Sequence, residues 1–357
     1  MVLVNAANLS SGGGFTVLEQ FYIYSPEECV FLVNNNEIRN YLLASRENGP
    51  KILVVPPMFL SGCGVLLFYG YWVDWLARKY NAVEILSLGN VPSRTALKQK
   101  VYLQWAYYVY GFNYSNGASI KEIMSRALRY ALIRAFSRYV SVWVVQTATM
   151  RKRLKEKLNN TTCKDVFYVY PGFVDLRYGN NINKFLENKE SLRLIYPALY
   201  YSHKNFSAIR KIADQIESQG MTVSISLTLP PEKFTNLGFN STKVVSNLGV
   251  LTQKELTLQY LEHDALLMPT KLETVGLPYL EAMSIGLPIL TSDLDFSREI
   301  CGEAALYFDP DDAFSIVSAI KDLQKNSASG GGGNQAAAHE LKKFSSWKES
   351  VRSVFNV

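Results

Sequence analysis

The chain has 357 residues, of which 48% are hydrophobic and 19% charged, and a formal net charge of +6. That balance excludes a disordered chain and predicts two domains of ordinary size with buried cores. Residues 1–170 carry 19 basic and 10 acidic side chains, against 18 and 21 in residues 171–357, so the first half points to an anionic partner: a membrane surface, a nucleic acid or a phosphorylated substrate.

The opening MVLVNAANLS enters a strand-like run with no basic leader, so no secretory signal is expected. The four cysteines, Cys29, Cys63, Cys163 and Cys301, form no CxxC pair and read as free, mostly buried thiols of a reducing compartment. Sequons such as those at Asn159 and Asn240 carry little weight in such a chain. The 22 tyrosines read as tyrosine-rich packing. Short apolar runs then alternate with helix-period segments. VFLV (30–33), ILVV (52–55), VEIL (83–86), VYL (101–103), VWVV (142–145) and VFYV (166–169) predict buried parallel strands. The stretch 52–73 is uncharged and long enough to span a bilayer. Pro56-Pro57 and Gly62, Gly64 and Gly70 interrupt it, so it reads as a strand, a turn and a very apolar helix. Residues 120–139 form a helix pattern with five basic side chains and one acid. It reads either as an interfacial helix against anionic lipid or as an ordinary surface helix of a basic domain.

Tyr170-Pro171-Gly172 marks the junction between a domain at 1–170 and one at 171–338. The second half repeats the style with LRLIY (192–196), VSIS (223–226), KVV (243–245), ALLM (265–268), PILT (288–291) and ALYF (305–308). Strand-helix alternation in both halves predicts two doubly wound α/β domains. SASGGGG (327–333) is low-complexity, a natural loop or an engineered insertion. After it, Leu341, Phe344, Trp347, Val351 and Val354 fall at helical spacing, so 339–357 is expected to be one closing amphipathic helix.

The stretch ETVGLPYLE (273–281) places two carboxylates across a helix start. Pro278 suits the first helical turn, where its missing N–H would be unpaired anyway, and Gly286 suits the C-terminal cap before Pro288. Glu273 then sits in a loop at a strand's carboxyl end, and Glu281 one turn into the helix. Unpaired backbone N–H groups at Thr274, Val275, Gly276 and Leu277, with the helix dipole, favour a phosphate there. Gly276 allows close backbone approach. Glu281 can accept the two hydroxyls of a ribose, while Glu273 faces whatever lies beyond the phosphates. The pair therefore suits a nucleotide diphosphate linked to a sugar; on spacing alone, two helix-cap acids would read the same.

LLMPTKLETVGLPYLEAMSIGLPILTSD followed by SREICGEAALYFDPDD resembles the donor-site segment of retaining nucleotide-sugar glycosyltransferases of the GT-B type, family 4. NLGVLTQKELTLQYLEHDALL (247–267), YYSHKN (200–205), VQTATMRKRL (145–154), FSSW (344–347) and the glycine-rich NLSSGGGFTVLEQF (8–21) resemble further segments of that family, so nearly the whole chain is covered. The resemblance implies an α/β fold of two Rossmann-like doubly wound domains facing a cleft, with the acceptor in the first domain, the nucleotide donor in the second, and the closing helix packed back on the first. It implies that Lys204 neutralises the leaving diphosphate, Glu281 holds the ribose and Glu273 serves the reacting centre. Gly12, Gly13 and Gly14 would offer N–H groups to the diphosphate.

Two positions depart from the family. Leu199 stands where an arginine is common, leaving Arg298 and Lys271 as substitute cations, and Gln104 stands where a histidine is common near the sugar. Glutamine can hydrogen-bond a hydroxyl but cannot act as acid or base, so catalysis without an enzymic base is expected. No metal or other cofactor is expected: Asp293-Leu294-Asp295 reads as a solvated turn, and His203, His263 and His339 lack ligand spacing. The expected role is hexosyl transfer to a lipid-linked or saccharide acceptor in bacterial O-antigen or capsule synthesis, lipopolysaccharide included. The expected place is the cytoplasm, peripheral at an anionic inner membrane surface, with no nucleic-acid partner. A sugar-nucleotide epimerase and a non-catalytic donor-binding protein on the same fold are the alternatives.

Overall fold

Aliphatic runs without polar alternation make strands that are buried on both faces, and such strands pair in parallel with helices covering both sides. The computed structural model describes residues 1–112, 118–158, 165–176, 191–326 and 332–357. It divides into two units, the first formed by 1–111, 119–172 and 344–357, the second by 112–118 and 173–343. Cys163, Asn159 and residues 327–331 of the glycine-rich run lie outside the described residues.

The first unit contains β1 (Val2–Asn5), α1 (Gly12–Tyr24), β2 (Cys29–Val33), α2 (Asn36–Ser45), β3 (Lys51–Val54), α3 (Gly64–Leu67), α4 (Val73–Lys79), β4 (Glu84–Ser87) and β5 (Lys98–Leu103). It continues through α5 (Tyr107–Tyr110), α6 (Ile120–Phe136), β6 (Val142–Val145), α7 (Ala148–Leu158) and β7 (Asp165–Tyr168). The strands pair in parallel in the order β3-β2-β1-β4-β5-β6-β7. The second unit contains β8 (Leu192–Tyr196), α8 (Phe206–Ser218), β9 (Val223–Leu227), α9 (Pro231–Asn236), β10 (Val245–Asn247), α10 (Gln253–Glu262), β11 (Ala265–Met268) and α11 (Leu277–Ile285). It ends with β12 (Ile289–Ser292), α12 (Asp295–Cys301), β13 (Ala305–Phe308), α13 (Ala313–Asn326) and α14 (Gly332–Leu341), and its parallel sheet runs β10-β9-β8-β11-β12-β13. Each sheet reverses its strand order once, between β1 and β4 and between β8 and β11. A crevice opens at such a reversal because the flanking connections leave to opposite faces.

Two sequence expectations shift, at 243–245 and at 339–357, while 52–73 follows its expected order of strand, turn and helix. The strand expected at 243–245 forms at Val245–Asn247, its Asn247 side chain bonding both backbone groups of Leu229. The stretch 52–73 breaks into the end of β3, a turn, α3 and a π turn at Phe68–Trp72 running into α4. Among the described residues no helix is long and apolar enough to cross a membrane. The closing helix expected at 339–357 is two helices. Helix α14 ends at Leu341 against α11 and α12, and α15 (Trp347–Asn356) starts afresh in the first unit. The break has a local cause: the Ser346 hydroxyl accepts from Glu349 N–H at 3.3 Å while the Glu349 carboxylate accepts from Ser346 N–H at 3.1 Å, a reciprocal cap that opens a new helix. The second unit accordingly reaches residue 343 rather than 338.

Helix α15 completes the core of the first unit, burying Trp347, Val351 and Val354. The Ser350 hydroxyl donates to the Tyr170 carbonyl at 2.8 Å, and the Phe344 ring packs on Tyr170 at 4.8 Å. Lys100 on β5 fastens the helix's far end. Its ammonium, on a side chain 3% exposed, donates to the Phe355 carbonyl at 2.6 Å and pairs with Glu84 at 3.1 Å. A cation at a helix C-terminus meets the negative end of the dipole and an unpaired carbonyl together. Replacing it by Lys100→Met is expected to destabilise the first unit by about 2 to 3 kcal/mol, since a partly buried carboxylate and a helix end both lose their partner. Urea unfolding of the variant checks this, and an unchanged midpoint would rule out the fastening role.

Candidate active site

The second unit brings Lys204 and Glu273 together across its sheet reversal. After β8 the chain makes one tight turn, Ser202–Lys204, and passes through Asn205 in the left-handed region (φ 57) before α8 begins. Asparagine tolerates that conformation, and its buried side chain ties three segments by donating to the carbonyls of Pro269 at 3.0 Å and Pro310 at 2.8 Å. Tyr196, fully buried on β8, donates its hydroxyl to the Lys204 carbonyl at 2.7 Å. After β11, Lys271 N–H donates to the His203 carbonyl at 2.8 Å, zipping the two loops together. The outcome is an ion pair between the Lys204 ammonium and the Glu273 carboxylate, on side chains 15% and 13% exposed. The Thr270 hydroxyl lies 3.3 Å from the same carboxylate oxygen.

Four residues further on, α11 starts at Leu277 with Gly276 as its cap and Pro278 in the first turn. Gly276 has φ 75, and a Cβ there would fall 2.7 Å from the Tyr279 ring, so the position admits only glycine without strain. Among the described residues the N–H groups of Thr274, Val275, Gly276 and Leu277 donate to no protein acceptor. Val275 is buried, 2% exposed, between half-buried neighbours on both sides. These four N–H groups and the dipole of α11 form an anion-favouring end beside the Lys204 ammonium.

Glu281 lies one turn into α11, 7% exposed. Gln253 Nε2 donates to its Oε1 at 2.9 Å and the Tyr260 hydroxyl donates to its Oε2 at 2.7 Å. Burial raises the Glu281 pKa above the ordinary glutamate value, and the Tyr260 and Gln253 bonds pull it part of the way back. Burial and the neighbouring Glu281 keep the Tyr260 phenol far above its own ordinary value, so it remains a proton donor. Each carboxylate oxygen keeps one acceptor position for a further hydroxyl. Gln253 and Tyr260 were not singled out from sequence: they lie 28 and 21 residues from Glu281, and only the packing of α10 on the sheet brings them to it.

In the first unit, Gly12, Gly13 and Gly14 form the first turn of α1, with Ser11 at the N-cap position but making no side-chain cap bond. Gly12 has φ 58, and a side chain on Gly13 would meet nothing within 4 Å. Gln104 ends β5. Its backbone N–H donates to Asn90 Oδ1 at 2.6 Å and its side-chain amide donates to the Leu88 carbonyl at 3.1 Å, which leaves its Oε1 as an acceptor and one N–H as a donor.

The other cations named from sequence are engaged elsewhere. Arg298 makes a two-point pair with Asp293, 2.7 and 2.8 Å, and covers the Tyr307 ring at 3.6 Å. Lys271 pairs with Asp311. Asp295 caps its own helix at the Phe296 N–H, 2.9 Å. His203 stacks on Tyr201 at 5.6 Å, and His263 Nδ1 lies 2.6 Å from the Gln259 carbonyl while burial lowers its pKa. Among the described residues no three His, Cys, Asp or Glu side chains converge as metal ligands.

Residues 206–326, within the second unit, match the model of the family described as "Glycosyl transferases group 1". The chain is 36% identical over 81 residues to the O-antigen chain mannosyltransferase RfbU of Salmonella typhimurium, a match spanning 23% of each chain and so less than a quarter of that relative's length. Among solved structures it is similar to WaaG, a glycosyltransferase involved in lipopolysaccharide biosynthesis, with a TM-score of 0.73, 14% identity and 100% and 99% of the two chains covered. It is similar also to Alr3699/HepE of Anabaena in complex with UDP and glucose, with a TM-score of 0.68, 13% identity and 99% and 98% covered. At these identities the likeness establishes the fold, an α/β architecture of the GT-B type.

The raised Glu281 pKa has a measurable sign. A carboxylate titrating higher when folded holds its proton more tightly there, so its contribution to stability falls as pH rises from the ordinary value of 4.5 through the folded one. Glu281→Gln abolishes that titration and misplaces one donor, at a cost of about 1 to 3 kcal/mol. The stability advantage of the native chain over the variant is therefore expected to be largest in acid and to shrink as pH rises above the ordinary glutamate value of 4.5. Paired urea titrations measure it, and an advantage that grows with pH would overturn the assignment.

Proposed function

We propose that this chain, which has the GT-B fold and carries the match to "Glycosyl transferases group 1" in its second unit, is a retaining glycosyltransferase that uses a nucleotide-diphosphate sugar. The observation that carries the reading is the meeting of Lys204 and Glu273 at the β8/β11 reversal, beside four unpaired N–H groups and one turn above the buried Glu281. Open parallel sheets take ligands at that place.

The parts divide the work by chemistry. Glu281 accepts the two ribose hydroxyls, and Tyr260 and Gln253 hold its carboxylate in one orientation. The N–H groups of Thr274 to Leu277 and the Lys204 ammonium receive the diphosphate. Breaking the bond between the sugar's anomeric carbon and the phosphate oxygen leaves positive charge on the ring and builds negative charge on the departing phosphate. Donors already aimed at that phosphate stabilise the transition state without reorganising. Glu273, held by Lys204 and Thr270, positions the donor sugar and balances the ring charge. The acceptor oxygen bonds to the anomeric carbon on the face the phosphate leaves, and its proton passes to the departing phosphate oxygen, so configuration is retained. Neither a metal nor an enzymic base is part of this scheme, and Gln104 is assigned as an acceptor for a sugar hydroxyl.

The relative's O-antigen role supports a saccharide or lipid-linked acceptor in bacterial surface-polysaccharide synthesis, and its name makes a mannosyl donor the first to test. The basic first half supports action at the inner, anionic face of the cytoplasmic membrane.

A panel of UDP, GDP and dTDP sugars, read by thermal shift and by turnover, is expected to single out one donor. With that donor, Lys204→Ala and Glu273→Gln are each expected to lower kcat by about 100-fold or more. Full turnover in either variant would remove the role given to it, and an inverted product anomer by NMR would remove the retaining scheme.

A further inference from the structure

In the first unit, two helices leave apolar side chains in water on one side of the molecule. On the segment from α3 through the π turn to α4, Leu67, Tyr71 and Trp75 are 59%, 67% and 41% exposed. On α6, Ile120, Met124 and Leu128 are 78%, 67% and 42% exposed. Each trio has the spacing i, i+4, i+8, which is one face of a helix. The opposite faces of the same helices supply Phe68, Val73, Leu76, Leu132 and Ile133 to a single core cluster. That cluster takes Leu3, Val101, Leu103, Trp143 and Val145 from the sheet but not their alternate neighbours, so both helices cover the same sheet face. Their outward stripes therefore share one outer surface. Tyr69 of the π turn and Leu132 and Ile133 of α6 are buried in that same cluster. The π turn has a use here: its wider winding offsets the rotation that i, i+4 positions accumulate along an α-helix, and so keeps Leu67, Tyr71 and Trp75 in line.

The charges around this surface are positive. Lys79 extends over the Trp75 ring at 5.0 Å, and Lys121, Arg134 and Arg138 are exposed on and after α6. The nearby acids are occupied within their own helices: Asp74 pairs with Arg78 at 2.8 Å and Glu122 closes the α6 cap on Ser119. Apolar stripes bordered by exposed cations match a lipid surface, where side chains enter the acyl boundary while ammonium and guanidinium groups stay among anionic headgroups. Aqueous solvent gives no reason to keep six large apolar side chains in two such lines.

We propose that the α3–α4 and α6 stripes form the surface by which the first unit docks on an anionic lipid bilayer. Both helices lie in the interface plane, neither crosses the membrane, and the cations set the preference for negative headgroups. The docking deepens the proposed membrane-carried acceptor and rests on that reading for its purpose.

Co-sedimentation of the full chain tests it with two vesicle types, phosphatidylethanolamine:phosphatidylglycerol 3:1 and phosphatidylcholine alone. Binding to the first, weakened by added salt and about tenfold or more above the second, is expected. The triple variant Leu67→Gln, Tyr71→Gln, Trp75→Gln is expected to lose binding to the anionic vesicles by about tenfold or more. A second variant, Lys79→Glu with Lys121→Glu, is expected to lose at least about fivefold. Circular dichroism confirms that both remain folded. Equal binding to both vesicle types, unchanged binding by the variants, or no binding by the native chain would overturn the proposal. So would a concentration-dependent dimer, seen by sedimentation velocity, that the triple variant abolishes, because the face would then meet a second copy. The two readings fail separately: vesicle binding without turnover of any nucleotide sugar leaves the docking surface and removes the transferase, and turnover without vesicle binding does the reverse.

Discussion

The ion pair between Lys204 and Glu273 is where the organisation of the second unit converges. A parallel sheet delivers every strand's carboxyl end to one edge, and the reversal between β8 and β11 sends the two connections to opposite faces. The loops that carry the pair start from the two strands flanking that reversal. They are held by buried bonds rather than by the pair itself: Asn205 to two carbonyls, Tyr196 to the Lys204 carbonyl, Lys271 N–H to His203. The charges therefore meet because the backbone beneath them is fixed, which is what a site working by electrostatic preorganisation needs.

Glu281 shows the complementary economy of burial. A carboxylate taken out of water raises its pKa and weakens the fold unless donors face it. Two neutral donors face this one, leaving acceptor capacity unused. In the proposed function that unused capacity is where the ribose hydroxyls bind. The same reasoning separates Arg298 and Lys271 from the site, because their charges are already met by Asp293 and Asp311.

The first unit spends its chemistry differently. Its charged side chains lie largely on helices, its sheet edge offers amides and the glycine-started helix α1, and its C-terminal helix is fastened by one buried lysine. Its outward apolar stripes sit on the helices that also build the core. An apolar face bordered by cations is suited to a broad, soft partner rather than to a small ligand.

The sequence by itself determined most of the strands, the alternation that makes each unit doubly wound, and the first turn and end of α11 at Pro278 and Gly286. These follow from local physics: burial of aliphatic runs, the missing N–H of proline, the freedom of glycine at positive φ. The break before α15 was local too, written in Ser346 and Glu349, and apolar spacing alone ran across it. Tertiary structure decided the rest. That Tyr260 and Gln253 hold Glu281, that Arg298 and Lys271 are taken by aspartates, and that Leu67 and Ile120 face water on the same side depend on residues far apart in the chain. Spacing along a sequence sets which residues share a helix face, but which faces are covered is settled only when the sheet has packed.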